Sequence, residues 1–283
     1  MFRQMLEEKY MRFPQGKSKA LTFSYDDGVR SDARLVEIFD KYGIKGTFNL
    51  NLPLCDDEGR HIRLTEEEML SLFQNSPHEV ALHGARHIFL DKVPLPQAVN
   101  EVLENRLYLE EKFNRIITGM AYAYNGYNEA VIAALRNLGV TYARTTEATH
   151  SFSLPQSWLR LNPTCHHNDP LFCALADKFV NGSPLGAPKH REPWLFYVWG
   201  HSFEFDDNDN WHIIEDFCNR ISQQKDIWLA TNGEIYDYIS AYNSLVYSAD
   251  GETAKNPSYM GVWVEIRGKV YEIPAGKIVK FDK

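Results

Sequence analysis

The chain has 283 residues, enough to enclose a large core, and its 44% hydrophobic and 24% charged content is ordinary for a globular protein. A formal net charge of -8 with a pI near 5.7 argues against nonspecific attraction to nucleic acid or to anionic membrane surfaces. No segment reaches transmembrane length, and residues 1–20 lack the continuous apolar core of a secretion signal, so a cytoplasmic location and a small or oligomeric partner are expected.

The first element ends at Thr22-Phe23-Ser24-Tyr25-Asp26-Asp27-Gly28, where an apolar, strand-like approach stops at two adjacent carboxylates. Such a pair is common in solvated turns, where Asp and Gly satisfy the backbone. Held close together in a fold, the two charges repel unless a cation or a proton separates their roles. Ser31 to Tyr42 follows as a helix closed by Gly43, and Ile44 to Leu50 reads as the next strand. The apolar run of Glu79-Val80-Ala81-Leu82 then delivers His83 and His87, four positions apart with Gly84 between them, a workable ligand spacing. Pro96 to Phe113 reads as a long amphipathic helix, and Val131 to Leu138 before Gly139 as another. Tyr142 to Thr146 is a further short strand candidate carrying Arg144. Pro163 to Asp169 gathers Cys165, His166, His167 and Asp169. Adjacent side chains of an extended segment diverge, which favours a pocket-lining loop over a second metal site.

Trp194 to Gly200 is a third apolar run that ends in chemistry, at His201. One Asp and two His supply three ligands and leave a position for water, the pattern of a catalytic zinc site. The second Asp is then available as a base and His201 as a proton donor. Beyond residue 244 the pattern changes, and Gly261 to Ile273 alternates around Arg267-Gly268 as a hairpin. The expected organisation is therefore an α/β chain with repeated βα units over residues 1–244, pointing to a barrel, and a small β-rich extension over 245–283 packed on it. Cys55, Cys165, Cys173 and Cys218 have no zinc-knuckle spacing and read as free thiols.

In this order the motifs resemble those of the polysaccharide deacetylases, metal-dependent carbohydrate esterases sharing the nodulation-protein deacetylase domain, over about residues 18 to 240. The resemblance implies a distorted (β/α) barrel with seven or so βα units, and a divalent metal, zinc expected, held by Asp27, His83 and His87. It also implies Asp26 as the base, His201 as the general acid and the Tyr124 backbone N–H as an oxyanion donor. The implied reaction removes acetyl groups from N-acetylated, or O-acetylated, saccharides. The family's third motif departs here: its arginine and proline are missing from Ala121-Tyr122-Ala123-Tyr124-Asn125-Gly126. Arg144 is the candidate replacement for the arginine that orients the base, a surface arginine being the alternative. No Asp that would steer His201 is found in Leu154 to Arg160. In such barrels the strand ends cluster in space, so Tyr25, Tyr124, Trp199 and Phe203 offer flat faces for a sugar ring, with Tyr25 and Trp199 expected to touch substrate. Two other activities fit the same residues: hydrolysis of another amide such as a cyclic ureide or imide, and saccharide binding without catalysis.

Overall fold

The computed structural model describes residues 7–53, 62–186 and 191–282, so the Cys55 expectation lies outside the described residues. The elements in chain order are β1 (Lys9–Arg12), β2 (Lys19–Asp26), α1 (Asp32–Lys41), β3 (Thr47–Leu50), α2 (Glu66–Phe73), β4 (Glu79–Leu82), α3 (Leu95–Phe113) and β5 (Gly119–Ala121). There follow α4 (Glu129–Asn137), β6 (Tyr142–Arg144), β7 (Cys165–His166), α5 (Phe172–Asn181), β8 (Trp194–Gly200), α6 (Phe203–Asp207), α7 (Trp211–Ser222), β9 (Ile227–Leu229) and α8 (Asn232–Asn243). The chain closes with β10 (Val246–Tyr247), β11 (Thr253–Lys255), β12 (Val262–Ile266), β13 (Lys269–Ile273) and β14 (Ile278–Lys280).

Seven parallel strands run in the order β6-β5-β4-β3-β2-β8-β7, and β9 pairs with β2. They form the curled sheet of the expected distorted barrel. β2 pairs with β3, β8 and β9 and is buried along its whole length. Its residues alternate between two environments, as a pleated strand must. Phe23 and Tyr25 face the helical layer and pack on Phe39 of α1. Ser24 and Asp26 face the other way, where Asn49 of β3 donates to both. Because all these strands are parallel, their C-terminal ends lie together, and that end carries the site.

The C-terminal hairpin forms as expected, with Arg267 and Gly268 at φ 54° and 78°, the two left-handed positions of a tight turn. Its sheet also takes a strand from the other end of the chain, since β1 pairs antiparallel with β12. A buried ion pair between Arg12 and Glu265, at 2.9 Å, spans that seam. Tyr238 of α8 donates to the Arg12 carbonyl at 2.5 Å and accepts from the Trp263 N–H at 2.9 Å. The expected division after residue 244 is thus crossed by β1. A pairing between residues more than 250 positions apart leaves no local mark on either strand. Among the described residues no helix is long and apolar enough to cross a membrane, and Cys165, Cys173 and Cys218 are free.

Candidate metal centre and active site

β2 ends at Asp26, and the next residue, Asp27, takes a left-handed backbone at φ 83°. A side chain there costs on the order of 1 kcal/mol or more, so neighbouring contacts must hold it. The Asp27 N–H donates to the Asn49 carbonyl at 3.1 Å, and Arg63 donates to the Asp27 carbonyl at 2.7 Å. The same Arg63 nitrogen donates to the Asn51 side chain at 2.7 Å. This reversal sends the two neighbouring carboxylates to different surroundings.

Asp26 lies almost fully buried and accepts from the Asn49 side-chain amide at 2.9 Å. Its other oxygen accepts from Arg144, which forms a buried ion pair with it. The candidate replacement arginine therefore reaches the Asp from β6 and is no surface side chain. The Arg144 guanidinium also donates to the Thr145 carbonyl at 3.0 Å and sits over the Trp199 ring at 4.3 Å. Burial alone would raise the Asp26 pKa. The positive charge of Arg144, with His83 and His201, outweighs that and holds the carboxyl below its ordinary value.

The histidine loop is fixed by helix α3. Asn105 accepts from the His83 N–H at 3.0 Å, and Glu101, one turn earlier, accepts from the Arg86 N–H. Gly84 sits at φ 80°, where a Cβ would meet the Glu101 carboxylate at 3.2 Å. His83 Nδ1 lies 2.9 Å from the Ala121 carbonyl. A carbonyl only accepts, so the proton sits on Nδ1 and the Nε2 lone pair is free. His83 Nε2 is 3.1 Å from His87 Nε2 and 3.6 Å from Asp27 Oδ1, and His87 Nε2 is 3.3 Å from that same oxygen. Burial, aided by His83, pushes the His87 pKa down to about 4, leaving a neutral imidazole at neutral pH. Asp27 Oδ1 is buried and accepts no hydrogen bond among the described residues. Two imidazole nitrogens and a carboxylate oxygen that accepts no hydrogen bond, with Arg63 Nη2 3.7 Å away, converge closely enough to hold a metal ion.

His201 lies just past β8, with Nε2 3.9 Å from Asp27 Oδ2. Its Nδ1 is 3.3 Å from Glu204, a partner that the sequence did not reveal. Glu204 also meets His166 Nε2 at 3.1 Å and His167 Nε2 at 3.0 Å. Burial opposes its charge, but the three histidines override that and push its pKa far below the carboxylate range. For His201, burial lowers the pKa; the Glu204 hydrogen bond and the charges of Asp26 and Asp27 reverse the sign, so it is raised. His166, Glu204 and His201 are close enough to hold a second metal. However, His166 Nδ1 accepts the Asn168 N–H at 3.0 Å, which puts the proton on Nε2 and turns that nitrogen into a donor toward Glu204. The cluster is a hydrogen-bonded hub.

Tyr25 is no substrate contact. It is fully buried and stacked on His167 at 5.6 Å, because its place in β2 points it to the helical layer. Trp199 is half-buried, edge-on to His166 at 4.6 Å and near His201 at 5.7 Å. The Tyr124 ring is exposed and lies edge-on to His87 at 4.3 Å, while Phe203 stands 5.2 Å from His201. Glu204, Arg63 and Asn49 went unnoticed in the sequence. Only Glu204 had a local signal, three residues past His201 at the start of a helix.

Behind the site, Asp32 at the start of α1 joins the two halves. It accepts from the Val29 N–H at 3.1 Å and from Ser202, beside His201, at 2.5 Å. Burial pushes its carboxyl up to about 8. A folded-state pKa above the unfolded value means that its stabilising share is complete below about pH 4 and is lost as pH rises through about 8. Asp32→Asn should remove this slope, so its melting temperature should gain on the native chain between about pH 5 and pH 9. Parallel melting profiles would contradict the assignment.

Residues 12–143 match the family model for polysaccharide deacetylases. Over this stretch, just under half of the chain, the sequence is similar to the polysaccharide deacetylases. The match contains Asp26, Asp27, His83, His87 and Tyr124 and stops one residue short of Arg144, so the places of Arg144, His201 and Glu204 rest on geometry. Among solved structures, the chain is similar to a polysaccharide deacetylase, itself described as putative, from Mycobacterium smegmatis (17% identity, 84% of this chain and 95% of that one, TM-score 0.60). It is also similar to BA3943, a family 4 carbohydrate esterase pseudoenzyme from Bacillus anthracis (12% identity, 80% and 68%, TM-score 0.50). The deacetylase PplD of Streptococcus pyogenes, solved with acetate, aligns at 22% identity over 49% of this chain and 61% of its own, with a TM-score of 0.44. At identities this low, the first two speak for the fold alone. No curated protein matches the chain.

Proposed function

We propose that the protein is a metal-dependent hydrolase that removes acetyl groups from N-acetylated saccharides, small or oligomeric. The observation that carries this is the apposition of a buried, arginine-held Asp26 with the Asp27, His83 and His87 donor set, and of His201 on the far side of Asp27. When bound by Asp27, His83 and His87, a divalent cation, zinc by donor chemistry, would polarise the acetyl carbonyl and acidify water.

Asp26 takes the proton of the attacking water, and Arg144 keeps it deprotonated and aimed. The Tyr124 backbone N–H donates to the carbonyl oxygen, which becomes the oxyanion as water adds to the carbonyl carbon. His201, whose pairing with Glu204 favours its protonated form, gives its Nε2 proton to the amine nitrogen as the C–N bond breaks. Acetate and a free amino sugar leave. Trp199 lines the pocket and holds the Arg144 guanidinium against its ring.

The test is acetate release by the metal-loaded chain from a panel of N-acetylated saccharides, with cyclic ureides and imides as competitors for the assignment. Acetate from saccharides supports the proposal. Ring-opened ureide with no acetate moves the chain to the other amide chemistry, and saccharide binding without either product makes it a binding protein.

A further inference from the structure

The proposed reaction draws on two neighbouring strands. The base stands at the end of β2, and the general acid stands just past the end of β8. These strands pair from Lys19 with Trp194 to Tyr25 with Gly200, so Asp26, Asp27 and His201 all lie past their last pair. The pairing therefore stops short of the contact between His201 Nε2 and Asp27 Oδ2, which are 3.9 Å apart. One side chain spans the gap. Asp32, fully buried, accepts from the N–H of Val29, two residues past Asp27, at 3.1 Å. It also accepts from the hydroxyl of Ser202, next to His201 and fully buried too, at 2.5 Å. Among the described residues no cation pairs with this carboxyl. Burying it that way is costly, and an apolar contact would join the same elements without that cost. What the carboxyl adds is direction, because two hydrogen bonds fix two turns relative to one another. A second contact nearer the surface repeats the join: Ser31 donates to Asp206 at 2.6 Å, and Trp211 Nε1 donates to the same carboxylate at 2.8 Å. The short helix α6, which follows His201 and carries Glu204, is thus fastened to the start of α1 at two points.

We infer that Asp32 is a positioning residue for the general acid: through Ser202 it holds His201 at its distance from Asp27. The inference rests on the proposed deacetylation, in which His201 and Asp26 act on one reacting centre from two strands. A misplacement of about 1 Å in such a site can cost about 10²-fold in rate.

The experiment uses the metal-loaded full chain and two substrates. One is tri-N-acetylchitotriose, whose amine leaves only with a proton, and the other is 4-nitrophenyl acetate, whose phenolate leaves without one. Asp32→Ala should lower kcat for acetate release from the saccharide about ten- to a hundredfold with KM unchanged, and should change ester hydrolysis far less. Asp32→Asn should restore the saccharide rate, since its amide can accept from Val29 and donate to Ser202. Ser202→Ala cuts the same link from the other side, so it should repeat the selective loss, and it carries the test where Asp32→Ala fails to fold. The His201 ring signals in proton NMR, assigned by their loss in His201→Gln, should shift in Asp32→Ala. Equal losses on both substrates, an unchanged saccharide rate, or unmoved His201 signals would each overturn the inference. Shifted His201 signals in a chain whose native form releases no acetate would leave the positioning standing and sink the deacetylase proposal instead.

Discussion

Replacing Arg144 by methionine should destabilise the chain by about 3–5 kcal/mol and abolish nearly all turnover. Both effects have one origin. Asp26 is buried, its charge is offset chiefly by the Arg144 guanidinium, and the methionine side chain fills similar space without a donor. The uncompensated carboxylate then either stays charged at high cost or picks up a proton, and a protonated Asp26 cannot accept one from water. Arg144→Lys keeps a charge but loses the fork that spans Asp26 and the Thr145 carbonyl, so it should recover only part of the stability. The double variant Arg144→Met with Asp26→Asn should be more stable than Arg144→Met alone, because no charge is left unpaired. Urea unfolding of these three variants, Asp26→Asn alone and the native chain checks this. Additive losses in the double variant would show that the two side chains do not act as a pair.

Asp26→Asn alone should lower turnover by about 10²–10⁴-fold while leaving the metal in place. The asparagine carbonyl can still accept the Arg144 N–H, so the variant should fold, with a lower melting temperature than the native chain. None of the three proposed ligands is altered. Elemental analysis should therefore find the same metal content in both proteins. Full turnover in this variant would remove Asp26 from the role of base, and lost metal would show that it is a ligand.

The parts of the site that were legible in the sequence are those where a short apolar strand runs directly into its chemistry: Asp26 and Asp27 after β2, His83 and His87 after β4, His201 after β8. Strand and turn encode these locally, and α1 and α3 show their apolar spacing equally plainly. Arg144 could be named only as a candidate, since its partner lies 118 positions away and the pairing is made by sheet order alone. Glu204 was not legible as the partner of His201 because the family resemblance implies a steering Asp from another segment, whereas this chain supplies a carboxylate from the helix after His201. Tyr25 was misplaced for a different reason. Proximity to Asp26 in sequence suggested the pocket, but neighbours in a strand face opposite sides, and the buried Tyr25 ring belongs to the core.

The central claim is that Asp27, His83 and His87 hold one divalent cation on which acetate release depends. Its most direct test is the metal content of the purified chain after dialysis, measured alongside acetate release. About one equivalent per chain is expected from a single three-ligand site. Asp27→Ala and His87→Ala should each lose the metal, and activity should follow occupancy on reconstitution. Undiminished acetate release from the chelator-stripped chain, or a full equivalent retained by Asp27→Ala, would contradict the account.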